Sequence, residues 1–129
     1  MAQIKIHGLR GYLSVRRQAI SDVIHACSVE VLQLPGDKRF HRFQMFDAED
    51  FIFPAPRTEA YTIVEVLLMS GRTVETRKRF IRRLFEQFEA VLGISPTDLE
   101  ICLIESAAPN WGFRGLHGDE AQLSYSIKV

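Results

Sequence analysis

The stretch from Tyr61 to Gly93 constrains this chain more than any other. Tyr61 to Met69 is an apolar, β-branched run of the length of one buried strand. Ser70-Gly71-Arg72 breaks it. From Thr73 to Leu92, Ile81, Leu84, Phe85, Phe88, Val91 and Leu92 recur with the period of one helical stripe, and Gly93 ends the helix as a C-terminal glycine does. Strand, tight turn and helix follow one another, with an arginine beside a helix N-terminus, where anions are favoured.

The remaining elements repeat that order. Ala2 to Gly8 alternates as a half-buried strand, and Leu9 to Leu13 reads as a glycine-containing turn. Ser14 is the expected N-cap of a helix running to about Leu32, with Ile20, Val23, Ile24, Cys27 and Val31 on one stripe. Gln33-Leu-Pro-Gly-Asp37 is a turn, and Lys38 to Phe46 is a second strand. Asp47 to Arg57 is a linker with apolar anchors. After the central stretch, Leu99 to Glu105 alternates as a strand, followed by a tail rich in glycine and aromatics. Leu123, Tyr125, Ile127 and Val129 alternate as an expected final strand.

Adding 61 to a first-half position lands on its partner: Arg16 on Arg77, Ile20 on Ile81, Pro35 on Pro96 and Asp37 on Asp98. Each half is strand, helix, strand, a unit that crosses over right-handed with parallel strands. The expected fold is therefore α+β: two β-α-β pseudo-repeats forming a four-stranded mixed sheet with both helices on one face. One domain covers 1–129, with halves at about 1–57 and 58–105 and a tail at 106–129. The second sheet face reads as apolar too, with no helix left to cover it. Self-association through that face, with the final strand completing a neighbour's sheet edge, is the economical solution.

Composition narrows the function. Lys+Arg and Asp+Glu both number 16, so no general attraction to nucleic acid or an anionic membrane is expected. No apolar run is long enough to span a bilayer, and the N-terminus does not read as a signal peptide. Cys27 and Cys102 read as reduced core residues of a cytoplasmic protein. The basic cluster Arg77, Lys78, Arg79, Arg82 and Arg83 shares its helix with Glu75, Glu86 and Glu89, which makes it an ion-pair surface rather than an RNA site. His7 reads as a solvated residue or an acid–base group, and Glu65 as a partner for an arginine. His25, His41 and His117 lack metal spacing; neither a metal site nor a cofactor is expected.

Two β-α-β units together with Leu34-Pro-Gly-Asp37, Ser70-Gly-Arg72 and Trp111-Gly-Phe113-Arg-Gly115 resemble the tautomerase superfamily, in particular its malonate semialdehyde decarboxylase branch. The resemblance covers nearly the whole chain. It implies a homotrimer with sheets facing inward, and a small keto or enol carboxylic acid as substrate. It implies an N-terminal proline amine as catalyst, an arginine at Arg72 holding the substrate carboxylate, an aspartate at Asp37 assisting, and Trp111 and Phe113 walling the pocket. Arg114 is a candidate second cation. The sequence departs at residue 2, which is Ala2, and Ser70 stands where the branch has another arginine. The α-amine of Ala2, or of a retained Met1, is then the expected catalyst: a base, or a primary amine able to form a Schiff base. An inactive acid-binding trimer is the alternative. Taken alone, Asp37 reads equally as turn chemistry, Arg72 as an exposed turn arginine, and Trp111 and Phe113 as anchors of the tail.

Overall fold

The computed structural model describes residues 2–129; Met1 lies outside the described residues. Strand β1 (Ala2–Leu9) alternates in burial, with Ala2, Ile4 and Ile6 facing the core. β2 (His41–Phe46), β3 (Thr62–Met69) and β4 (Leu99–Ser106) complete a four-stranded sheet of order β2-β1-β3-β4. β1 and β2 are parallel, β3 and β4 are parallel, and the halves meet antiparallel through β1 and β3. Helices α2 (Arg17–Leu32) and α3 (Val74–Leu92) cover one face, α3 burying Phe80, Leu84 and Phe88 against Val64, Val66 and Leu68. The mixed sheet with both helices on one side is the architecture that the repeat implied. Among the described residues, no helix is long and apolar enough to cross a membrane.

Several local expectations change. Arg10–Leu13 forms a separate helical turn, α1, and α2 starts at Arg17 without a side-chain cap, so Ser14 is not an N-cap. The Gly8 position explains the interruption: a Cβ there would lie 2.8 Å from the Leu13 side chain, so α1 packs directly on the strand end. Strand β2 begins at His41, not Lys38, because Lys38 closes the preceding turn on the Pro35 carbonyl (3.0 Å). Leu123 to Val129 forms no strand. Its end is tied instead to the start of α3, where Val129 O accepts from Thr73 N (3.0 Å) and Ile127 packs on Gly71, away from either sheet edge. Strands β5 (Gly112–Phe113) and β6 (Leu116–His117) form a small hairpin within the tail.

The uncovered sheet face is mixed rather than apolar. Ile63, Leu67 and Ile104 share it with Gln3, Lys5, Glu65 and Gln44, as the strand registers require. Glu65 pairs there with His7 (3.1 Å), not with an arginine. Cys102 also lies on this face and is exposed, whereas Cys27 is in the core, where burial pushes its thiol up to about 11. The repeat offset shortens as well. Ile4 and Val64, Ile20 and Phe80, Ile24 and Leu84, and Leu34 and Ile94 are core equivalents one position closer than the sequence offset, and only Pro35/Pro96 and Asp37/Asp98 keep it. A strand shifted by one residue would turn its apolar side outward, so burial fixes the closer register.

Candidate functional site

The start of β1, the end of β3, the start of α3 and the turn before β2 meet at one end of the sheet. Ala2 is buried and opposite Leu68 in the β1–β3 ladder. Four residues after Leu68 comes Arg72, beyond a bend at Gly71 with φ +150°, a backbone angle that favours glycine. Ile4 N donates to Phe40 O (2.9 Å), which draws the Asp37 turn to the same end. Thr73 caps α3 by accepting from Thr76 N (3.1 Å), so the positive end of that helix dipole opens beside Arg72.

Arg72 is not the exposed turn residue that its local sequence allowed. It is only 4% exposed. Among the described residues its one hydrogen bond runs from Nη2 to Leu32 O at the end of α2, at 3.5 Å. Its Nε and Nη1 are buried without partners, and no carboxylate among the described residues is within ion-pair distance. Burial shifts its guanidinium below the usual arginine range, opposed by Tyr125 and Glu105. A buried cation without an anion is costly, and this guanidinium keeps Nε and Nη1 free for one.

A cavity of about 540 Å³ opens close by, lined among others by Asp37, Lys38, Phe40, Phe113, Arg114 and Tyr125. Asp37 is exposed in its turn. Phe113 ends β5, and Arg114 turns the hairpin at φ 55°, with its guanidinium 5.2 Å from the Phe113 ring centre and Nη2 on Gln122 O (3.3 Å). Tyr125 is half-buried; burial raises its phenol above the usual range while Arg72 and Arg114 oppose that rise. Tyr125 thus feels both arginines and links the buried one to the cavity.

Of the expected site residues, Asp37, Phe113 and Arg114 line this cavity together. Ala2 and Arg72 lie at the same end of the sheet but not among its lining residues. Trp111 is buried and donates from Nε1 to Ser106 O (3.1 Å), which makes it an anchor of the tail. Tyr125, Lys38 and Phe40 went unnoticed. Tyr125 was hidden in an alternating run that read as a strand, and only the return of the tail brings it to Asp37. The one acidic trio close enough to share an ion among the described residues, Asp47, Glu49 and Asp50, is exposed and follows the far end of β2 from Phe40.

A family model described as tautomerase enzyme matches residues 38–114, more than half of the chain. The chain belongs to the tautomerase superfamily. Two curated relatives in Bacillus subtilis (strain 168) are named probable tautomerases: YusQ, 25% identical over 88% of this chain and 93% of that protein, and YrdN, 30% identical over 71% and 74%. Among solved structures, the FG41 malonate semialdehyde decarboxylase inhibited by 3-bromopropiolate is 31% identical, covers 86% of this chain and 88% of its own, and superposes with a TM-score of 0.76. A wild-type fused 4-OT described as an asymmetric trimer superposes with a TM-score of 0.80 over 92% and 97%; at 16% identity it speaks for the fold alone.

Proposed function

We propose that this superfamily member acts on a small keto or enol carboxylic acid, by keto–enol isomerisation or by decarboxylation. The observation that carries the reading is Arg72: a buried guanidinium with two unpaired nitrogens, Nε and Nη1, and no carboxylate partner among the described residues. A substrate carboxylate supplies the missing partner, with the α3 N-terminus adding to the field. The cavity walls Phe40 and Phe113 then exclude water from the reacting carbons.

With Met1 removed, the Ala2 amine stands near this end of the sheet. In isomerisation it takes the enol hydroxyl proton, and the electron pair moves through the enol to a carbon that is then protonated. In decarboxylation the amine attacks the substrate carbonyl, water leaves, and the iminium accepts the electron pair as carbon dioxide departs; protonation and hydrolysis release the product. Asp37 orients the water or shuttles the proton. Arg114 and Tyr125 hold the far side of the substrate.

A homotrimer belongs to the same reading. Fused 4-OT relatives of this fold are described as symmetric and asymmetric trimers, and the uncovered sheet face here presents Ile63, Leu67 and Ile104. One domain over 1–129 with a cytoplasmic location completes it. A second reading, an acid-binding trimer without turnover, is favoured by Ala2 in place of the proline that the resemblance implies.

The test incubates protein beginning at Ala2 with phenylenolpyruvate, 2-hydroxymuconate and malonate semialdehyde. Turnover above buffer that Arg72→Ala lowers by about a hundredfold, the equivalent of about 3 kcal/mol for a charged hydrogen-bonded pair, supports the enzyme reading. Binding of the acids without turnover, with activity appearing only in Ala2→Pro, supports the second reading. Neither binding nor turnover overturns both.

A further inference from the structure

Ser21, His25 and Ser28 stand at i, i+4 and i+7 on α2, and all three are buried polar residues. Two of these side chains hold the segment that leads into β2: His25 Nε2 meets Gly36 O (2.9 Å) and Ser21 Oγ meets His41 Nδ1 (2.7 Å), while the Ser28 hydroxyl donates to Ile24 O within the helix (2.8 Å). Arg39 Nη1 closes on Asp22 Oδ1 just beyond (2.6 Å).

His25 is the informative member. A carbonyl oxygen only accepts, so Nε2 carries the proton and Nδ1 is left as a bare lone pair. Nδ1 is buried and has no partner. His25 is only 8% exposed, so an apolar side chain would fill the place without that unpaired nitrogen, which costs about 1–3 kcal/mol. What histidine supplies is the Nε2–H on Gly36, the residue immediately before Asp37. Gly36 has no neighbour within 4 Å of where a Cβ would stand, so nothing packs against that side of it. Among the described residues, the His25 bond is the one side-chain hydrogen bond on the Pro35–Lys38 turn.

We propose that His25 is a positioning residue: it pins the Gly36 carbonyl from α2 and so fixes the direction in which Asp37 enters the cavity. This rests on the reading of that cavity as the substrate site. His25 touches no substrate; it acts through the peptide before Asp37.

The experiment is a double-mutant cycle of His25→Leu and Asp37→Asn. His25→Leu is expected to lower kcat about tenfold with KM changed less than about twofold, and to change kcat less than about twofold once Asp37 is already asparagine. His25→Gln, which keeps an N–H donor, recovers to within about threefold. Equal losses in both Asp37 backgrounds, or no loss in either, would overturn the proposal, since a role in folding alone is blind to the Asp37 side chain. A second readout needs no turnover: the carboxyl carbon resonance of Asp37, followed by NMR. It shifts in His25→Leu while that of Asp98 stays put; an unchanged Asp37 resonance sinks the proposal. If the leucine variant does not fold, the wild-type scalar coupling between His25 Nε2 and the Gly36 carbonyl carbon decides, and its absence is a negative answer. Lack of turnover with every acid, beside a shifted Asp37 resonance, removes the enzyme reading and keeps the His25 role.

Discussion

The two halves of this molecule carry the same aspartate in the same kind of turn and use it differently. In the second half Asp98 is 6% exposed and accepts from both Thr58 N and Thr58 Oγ1, each at 2.7 Å. It ties the chain just past the linker to the foot of β4. In the first half Asp37 is exposed, holds no such linker, and faces a cavity with Arg114 and Tyr125. The fold thus spends one copy on structure and leaves the other free, and the free copy is held from behind by His25. Exchanging the roles by mutation gives the largest effect. Asp98→Ala removes two charge-assisted hydrogen bonds and leaves Thr58 N–H unpaired, so it costs about 3 kcal/mol and lowers the thermal midpoint by roughly 10 °C. Asp37→Ala leaves the midpoint within about 2 °C, as surface substitutions do, and is read instead in turnover or acid binding. Equal thermal shifts for the pair would break the comparison.

The arginines of the two halves differ in the same sense. Arg10 follows β1 and is exposed, paired with Asp47 at 3.2 Å; Arg72 follows β3 and is buried with no acid. An exposed pair contributes little, so Arg10→Ala changes stability by less than about 1 kcal/mol. The Arg72→Ala variant loses acid binding and gains stability in the absence of ligand, because a desolvated, unpaired cation is removed. Thermal unfolding with and without a millimolar carboxylic acid separates the two, and an unliganded Arg72→Ala protein that is clearly less stable than wild type would contradict the site reading.

How much of this was legible beforehand follows from what each signal encodes. Alternation in β1 and β3 and the helical periodicity around Ile20–Val31 and Leu84–Phe88 are local, and they gave the sheet and both helices, although the stripe read for α3 left out the fully buried Phe80 and took in Val91, which is exposed. The same alternation misled at Leu123–Val129, because period-two patterning is compatible with a strand but does not supply a neighbour to pair with. Cys102 looked like core because its strand is apolar; its register opposite Glu65 puts it on the uncovered face. Arg72 was legible as a turn cation, but its burial was not, since that depends on α2 ending at Leu32, forty residues earlier in the chain. Asp37 and Asp98 were indistinguishable in sequence. Thr58, which makes one of them structural, lies just past the linker, with no local tie to either.

A further contrast titrates. Where the second half puts Ile101 on the helix side of its outer strand, beside Val64, the first half puts His41 in the matching place, beside Ile4. Burial, with help from Arg39 and His25, pushes His41 down to about 4. An unfolded histidine titrates near 6.5, so between those values the unfolded chain binds a proton that the folded one refuses. The stability contribution is complete above about pH 6.5 and is lost as the pH falls through the window toward 4. At pH 5 the loss amounts to about 1 kcal/mol once partial solvent access of the edge strand is allowed for. His41→Gln flattens this part of the pH profile, while Ile101→Val leaves its shape unchanged; a variant profile parallel to wild type between pH 7 and 5 would refute the assignment.

The smallest contrast is at the helix ends. Both helices close in the left-handed conformation, α3 with Gly93 at φ 67° and α2 with Gln33 at φ 57°. A Cβ on Gly93 would meet nothing within 4 Å, so Gly93→Ala tests backbone strain alone and costs about 1 kcal/mol. Gln33→Gly should run the other way, but by less. Removing the side chain relieves the left-handed strain and also frees the unfolded chain, and the second effect opposes the first. A net gain of about 0.5 kcal/mol is expected, visible as a shift in urea midpoint with an unchanged slope. A loss on Gln33→Gly would mean that the glutamine side chain makes its own contribution to ending α2, and that the halves differ there as they do at their aspartates.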